Sequence, residues 1–273
     1  MINEVIYSIF KRGSRTYFYS SLFFPDEIKK DVFILYSFVR KADNYIDVLP
    51  QRKEEFFTFK NRFKQAISGI LTGDVVVDSF ADLVKRKKIE IEWAEAFFRS
   101  MEFDLTKKTY RTIDELKEYL YGSAEVIGLI MAKIMNLPRI SYSAARYLGR
   151  AMQYANFIRD IPEDLILGRT YFPIEDLERY NLSNLSYAYT KQHPNRFIRF
   201  IRHQIERYSC WQEKAEMGFI FLLKKFLVPV KTASDMYKWT MMQINRKPFL
   251  VYREKVKPSI PRIICQIAYN TLQ

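Results

Sequence analysis

Apolar residues along this chain recur at intervals of three and four, and strict apolar–polar alternation over a strand length is hard to find. That period belongs to helices buried on one face. Val32, Leu35, Tyr36, Phe38 and Val39 form one such stripe, and Leu116, Leu120, Ala124 and Ile127 another. Pro25, Pro50, Pro138, Pro173, Pro194, Pro229, Pro248 and the pair Pro258/Pro261 divide the pattern into helix-length segments, since a proline ring blocks the hydrogen bond to the fourth residue before it. The pattern predicts helices at about 26–47, 51–70, 91–104, 113–135, 140–167, 195–226, 232–245 and 259–272. Asp26 opens the first of these, and Thr112 or Asp114 would cap the one leading to Tyr119. No Gly/Ser linker or shift in composition interrupts the series, so the expectation is a single all-α domain over residues 1–273.

Composition narrows the class. A 273-residue chain with 48% hydrophobic and 16% aromatic content can enclose a sizeable core and is not disordered. Cys210 and Cys265 have no CxxC or metal-ligand spacing, which fits a reducing, cytoplasmic setting. Lysines such as Lys133, Lys224 and Lys225 break every apolar run that approaches membrane-spanning length. Glu4 falls early, and no small-residue cleavage site follows, so the start does not read as a signal peptide.

The net charge is +13, and residues 191–262 carry sixteen Lys/Arg against five Asp/Glu. Such an excess fits solvated helix faces or an anionic partner: nucleic acid, an acidic membrane surface or phosphorylated substrates. Without zinc-finger spacing, an RNP motif or a Walker loop, nucleic acid has charge alone behind it and is not the expected partner. His193 and His203 are expected on the surface, without partners.

Two acidic segments change the picture. Asp43 and Asp47 lie four apart in the first long helix, so both carboxylates project from one face, roughly 6 Å apart along the axis. Like charges at that spacing need a compensating cation, and Arg40 one turn back supplies part of it. Further on, Gln153, Asn156, Asp160 and Asp164 step by three, four and four, a polar stripe flanked by Tyr154, Phe157, Ile158, Ile161 and Leu165. Oxygen donors within apolar packing are costly unless paired or bound to metal. With no His or Cys beside them they favour a hard cation, Mg²⁺ above all where phosphates complete its shell. Pro162 either ends this second helix or kinks it toward the site.

These segments resemble the squalene/phytoene synthase family of head-to-head prenyl transferases. The resemblance rests on Leu148-Gly149, Gln153, Asn156-Phe157, Arg159-Asp160-Ile161, Asp164 and the run Arg169, Tyr171, Pro173. It is extended by Ser14-Arg15-Thr16-Tyr17, by Tyr36, Arg40, Asp43 and Asp47, and by a central element with Tyr119, Tyr121, Ser123, Ala124, Ile127 and Gly128. The elements follow the family's order over residues 14 to 173. Departures are Asn44 inside the first acidic motif, Leu120 and Glu125 in the central one, and Arg253-Glu-Lys255-Val-Lys257 where many members carry an arginine. Glu125 beside a hydrophobic tunnel would alter its shape.

The resemblance implies a class I isoprenoid synthase bundle of helices around a central cavity. It implies Mg²⁺, with Mn²⁺ as the substitute, on Asp43, Asp47, Asn156, Asp160 and Asp164. Ser14, Arg15, Arg40 and Arg159 would hold diphosphate, with Tyr17, Gln153 and Lys255 also touching substrate. Tyr36 and Tyr119 would bond the leaving group or face a cation. Ser123, Ala124, Ile127 and Gly128, with Ala151 and Ala155, would leave room for isoprenoid chains. The implied reaction joins two geranylgeranyl diphosphates through a cyclopropyl diphosphate to phytoene. The alternatives are the same chemistry on farnesyl diphosphate, giving dehydrosqualene or, with NADPH, squalene, and a catalytically silent helical protein of membrane-associated assemblies. A hydrocarbon product must pass into a bilayer, so the basic surface is expected to dock peripherally on anionic membrane. The sequence leaves the oligomeric state open.

Overall fold

The computed structural model describes residues 2–273, and among them fifteen α-helices form. The N-terminal part holds α1 (Glu4–Gly13), α2 (Arg15–Ser21), α3 (Asp26–Ile46), α4 (Lys53–Ile67), α5 (Val75–Lys87) and α6 (Ile91–Thr106). The middle holds α7 (Ile113–Leu120), a π-helical turn (Tyr121–Glu125), α8 (Val126–Ile134), α9 (Tyr142–Arg159) and α10 (Ile161–Ile166). Then come α11 (Ile174–Arg179), α12 (Tyr187–Gln192), α13 (Pro194–Glu216), α14 (Lys224–Arg246) and α15 (Ile260–Leu272). No strand forms among the described residues; one isolated parallel bridge joins Thr109 to Thr170.

Two apolar cores hold the bundle. In the first, built from α1–α6 and α8, the Phe38 ring stacks on Phe80 at 3.9 Å and meets Phe59, Phe63, Phe97 and Phe98 within 6.1 Å. Truncating such a ring costs about 3–5 kcal/mol. The second joins α7, α9, α11, α13 and α14, with Phe157 stacked on Tyr171 at 4.1 Å. The aromatic surplus of the sequence is spent mainly on these cores.

Several boundaries differ from the periodic reading. The π-helical turn interrupts the segment expected at 113–135, because Gly122 and Gly149 bring backbones into contact there. A Cβ on Gly122 would lie 2.2 Å from the Ala96 carbonyl oxygen, and one on Gly149 2.3 Å from that of Ala124. The segment expected at 140–167 breaks at Asp160, where α10 restarts with Pro162 in its first turn. Proline suits that position, since the first turn needs no such amide. The helix expected at 195–226 ends at Glu216 and yields to a 3₁₀ turn, Met217–Phe221. Pro229, expected to be a boundary, sits inside α14 and is buried. Helix α5 went unpredicted because Val75, Val76 and Val77 favour strands. Asp74 caps it by accepting hydrogen bonds from the Val76 and Val77 amides at 3.1 and 3.3 Å.

Candidate active site

Between the two cores lies a cavity of about 640 Å³. One wall is α9, which presents Ala144, Ala145, Leu148, Met152, Asn156 and Asp160 in succession. At 1.5 Å per residue that wall runs about 24 Å. Opposite it, α3 contributes Val32, Leu35, Tyr36, Val39, Arg40 and Asp43, apolar first and charged last. A third wall runs from Tyr119 through Ser123, Ala124, Ile127 and Gly128 to Met135. The cavity therefore has a polar end, where α3 and α9 finish, and an apolar end, where α9 begins.

Of the candidate residues named from the sequence, all but Ala151 and Ala155 line this one cavity: Ser14, Arg15, Tyr17, Tyr36, Arg40, Asp43, Asp47, Tyr119, Ser123, Ala124, Ile127, Gly128, Gln153, Asn156, Arg159, Asp160, Asp164 and Lys255. Asn44, the departure in the first acidic motif, is exposed and takes no part in the wall. Ser14 caps α2 by accepting from the Tyr17 amide at 3.2 Å, which leaves its hydroxyl proton free to donate. Tyr36 stacks on Phe10 at 3.9 Å. A Cβ on Gly13 would lie 2.5 Å from the Tyr36 hydroxyl, so the missing side chain there makes room for the tyrosine.

The polar end contains residues that the sequence reading did not select. Asp104 of α6 is buried and accepts hydrogen bonds from Tyr119 at 2.7 Å and Tyr171 at 2.8 Å. The Tyr119 hydroxyl proton is thus committed to Asp104. Arg169 bonds Asp47 Oδ1 and the Ile46 carbonyl, both at 2.9 Å, while its buried Nε makes no hydrogen bond and lies 4.0 Å from Asp104 Oδ1. Tyr237 of α14 donates to Asn156 Oδ1 at 3.2 Å. Arg159 grips Asp160 with Nε 2.8 Å from Oδ1, and Lys255 reaches Asp160 at 3.2 Å and Glu163 at 2.9 Å. Arg169 and Tyr171 stood in the recognised motif; Asp104 is a lone acid whose role only its neighbours reveal.

The carboxylates strain against one another. Asp43 and Asp47 sit at the negative end of the α3 dipole. Burial, then the Asp47 charge, pushes the Asp43 carboxyl up to about 8. Burial, then Asp160 and Asp47, raises Asp164 well above the usual carboxylate range. Asp104 is raised by burial to about 6. Burial opposes ionisation of Asp160 too, but its bonds to Arg159 and the nearby Lys255 outweigh it and hold the group below its ordinary value.

Positive groups crowd in the same way. Lys257 also lines this end, and burial followed by Arg159 and Lys255 lowers its ammonium pKa. Arg15, Arg40 and Lys257 form no ion pair among the described residues. Of the C-terminal bases, Lys255 and Lys257 reach the wall and Arg253 does not.

The donor set fits a hard divalent cation. Asp43, Asp47, Asn156, Asp160 and Asp164 offer only oxygen, and a cation would offset the burial and the repulsion that raise Asp43 and Asp164. Among the described residues no three His, Cys, Asp or Glu side chains gather into a ready-made metal cluster.

Other expectations are corrected. Glu125 does not shape the cavity: it is buried with Oε2 2.7 Å from Arg146 Nε and Oε1 2.6 Å from Arg150 Nε, facing α9. Ala151 and Ala155 belong to the second core and line no part of the cavity. Gly128 does line it, but its smallness serves helix packing, since a Cβ there would lie 2.1 Å from the Ala145 carbonyl oxygen. His203 has neighbours after all, 3.7 Å from Asp176 and 3.4 Å from Arg207.

Comparison with known proteins finds similar chains of one kind. The chain is 27% identical over 246 residues to phytoene synthase 1, chloroplastic, of Zea mays, covering 86% of this chain and 60% of that protein. It is 24% identical over 275 residues to the 15-cis-phytoene synthase of Synechocystis sp., covering 95% and 81% respectively. Among solved structures, a dehydrosqualene synthase in complex with ligand matches with a TM-score of 0.87 at 19% identity, over 98% of this chain and 94% of that one. Squalene synthase HpnC from Alicyclobacillus acidocaldarius matches at 0.79 and 20% identity, over 90% and 94%. At those identities the structural likeness shows the fold, the all-helical isoprenoid synthase bundle that the motifs implied. The sequence model for squalene/phytoene synthase matches residues 10–262, nearly the whole chain. The chain therefore belongs to the squalene/phytoene synthase family, whose members are prenyltransferases.

Proposed function

We propose that this protein joins two molecules of geranylgeranyl diphosphate head to head, through a cyclopropyl diphosphate, to phytoene. The observation that carries the reading is the cavity itself. Crowded carboxylates and crowded cations face one polar end, and an apolar bore leads away from it. A diphosphate with divalent cations relieves both crowds at once. The C20 substrate is favoured by the curated relatives, which include plant and cyanobacterial phytoene synthases.

The first ionisation separates a diphosphate trianion from an allylic carbocation, and the second separates another from a cyclopropylcarbinyl cation. Arg15, Arg40, Arg159, Lys255 and Lys257 hold the leaving charge through charge-assisted hydrogen bonds, and Ser14 donates its hydroxyl. Magnesium held by Asp43, Asp47, Asn156, Asp160 and Asp164 would act as Lewis acid and template for the departing diphosphate. Asp104, fixed by Tyr119 and Tyr171, orients Arg169 and through it Asp47. The Tyr36 ring and the apolar walls keep water from the cation and leave the neighbouring double bond as the nearest nucleophile. Attack by that double bond and loss of one proton close the cyclopropane; the second diphosphate then leaves at the same polar end, and the resulting cation rearranges and loses a second proton to give phytoene.

Incubation with C15 or C20 diphosphate and Mg²⁺, with and without NADPH, followed by hydrocarbon analysis, tests the assignment. Phytoene from the C20 substrate, independent of NADPH, is expected. Squalene or dehydrosqualene from the C15 substrate alone would move the assignment to the shorter chain, and no hydrocarbon from either would end it.

A further inference from the structure

The apolar end of the cavity is closed by two short segments. Residues 135–141 contribute Met135, Leu137 and Ser141 to the wall, and residues 217–223 contribute Gly218, Phe219 and Leu222. They meet against the start of α9, where a Cβ on Gly218 would lie 2.3 Å from that of Ala144. Their outward residues are large and apolar. Met217 is 73% exposed, Ile220 82%, Leu223 61% and Ile140 73%. Met217 and Ile220 lie three apart in the 3₁₀ turn, a period that stacks side chains on one face; Leu223 follows in extended backbone, and Phe219 and Leu222 line the cavity. One exposed leucine needs no explanation, but a row of apolar side chains on the two segments that close an apolar bore does.

Charge identifies the partner. Arg139, Lys224 and Lys225 flank the row, are exposed, and form no ion pair among the described residues. Apolar side chains ringed by unpaired cations match a surface that is anionic outside and hydrocarbon within. No described helix is long and apolar enough to cross a membrane. We propose that this rim docks on an anionic lipid bilayer, with Ile140, Met217, Ile220 and Leu223 among the acyl chains and the apolar end of the cavity facing them. Resting on the prenyl reading above, the contact lets a hydrocarbon leave the bore without crossing water. The docking itself does not depend on what the bore contains.

Flotation with phosphatidylcholine vesicles, with and without phosphatidylglycerol, tests the surface. The wild-type chain should float with the anionic vesicles. A combined Met217→Ser, Ile220→Ser and Leu223→Ser variant should lose about tenfold or more in vesicle affinity. Lys224→Glu with Lys225→Glu should lose the preference for phosphatidylglycerol. Diphosphate release in detergent should stay unchanged in both, since none of these residues lines the cavity. As a check independent of those variants, a polarity-sensitive dye on Ile220→Cys, in a Cys210→Ser, Cys265→Ser background, should brighten and shift to the blue on vesicle addition. Undiminished flotation of the serine variant, or an unmoved dye, would overturn the proposal. So would loss of a dimer in that variant with no vesicle binding by the wild type, which would mark the rim as a contact between copies. Vesicle binding with no diphosphate release by the wild type would instead defeat the enzymatic reading and leave the docking surface standing.

Discussion

At the scale of single residues, the polar end works by leaving charges unresolved. Asp43 has a folded pKa of about 8 against an ordinary 3.8. Between those values the folded state binds more protons than the unfolded state, so stability falls as pH rises through that window and is level above it. In metal-free buffer the melting temperature should drop over that range, and Asp43→Asn should flatten the drop while abolishing turnover. A pH–melting curve of the variant that overlays the wild type would contradict the assignment. Tyr119→Phe removes one of the two donors holding Asp104, at an expected cost of about 1–3 kcal/mol in denaturant unfolding. The sequence made Asp43 and Asp160 legible because carboxylates four apart on apolar-flanked helices need a cation. It could not single out Asp104, whose meaning comes from Tyr119, Tyr171 and Arg169 converging from three other segments.

At the scale of elements, the π-helical turn decides which central residues meet the cavity. It directs Ser123 and Ala124 inward and Glu125 away, toward Arg146 and Arg150 on α9. Replacing Arg150 by Met should cost about 3–5 kcal/mol by leaving a buried carboxylate half-paired, with no change in product chain length. A shift in product length at equal stability would place Glu125 back in the bore. Gly13→Ala is the opposite case. The new methyl would press on Tyr36 and Arg40, so kcat should fall while the melting temperature moves little, as kinetics and calorimetry can compare. Helix periodicity found α3, α6 and most of α9, whose stripes are long. It missed α5 behind its three valines, and α1 and α2, which at ten and seven residues are too short to repeat an apolar stripe many times. Pro162 falls in the first turn of α10, where proline is tolerated, whereas Pro229 lies in the interior of α14 and the helix runs on through it.

At the scale of the molecule, one bore unites the two halves of the sequence, its charged end made by helix termini and its apolar end by two short segments. The small residues Ala144 and Ala145 stand at that far end. Ala145→Leu should shorten the bore and lower C20 turnover about tenfold or more relative to C15, since each methylene of fit is worth about 1–3 kcal/mol. Equal loss on both substrates would mean that chain length is set elsewhere. The basic excess, read from the sequence as one region, is shared among different tasks. Lys255 and Lys257 serve the polar end, Arg207 pairs with the buried Asp176, and Lys224 and Lys225 flank the apolar rim. A one-dimensional charge count could not separate these. The proposed reaction ionises two prenyl diphosphates in this cavity for every hydrocarbon formed. Diphosphate release and phytoene, measured together from geranylgeranyl diphosphate with Mg²⁺, give that ratio. The expected result is two diphosphates per phytoene, with both signals lost in Asp160→Asn; diphosphate release without hydrocarbon, or turnover surviving that substitution, would contradict the account.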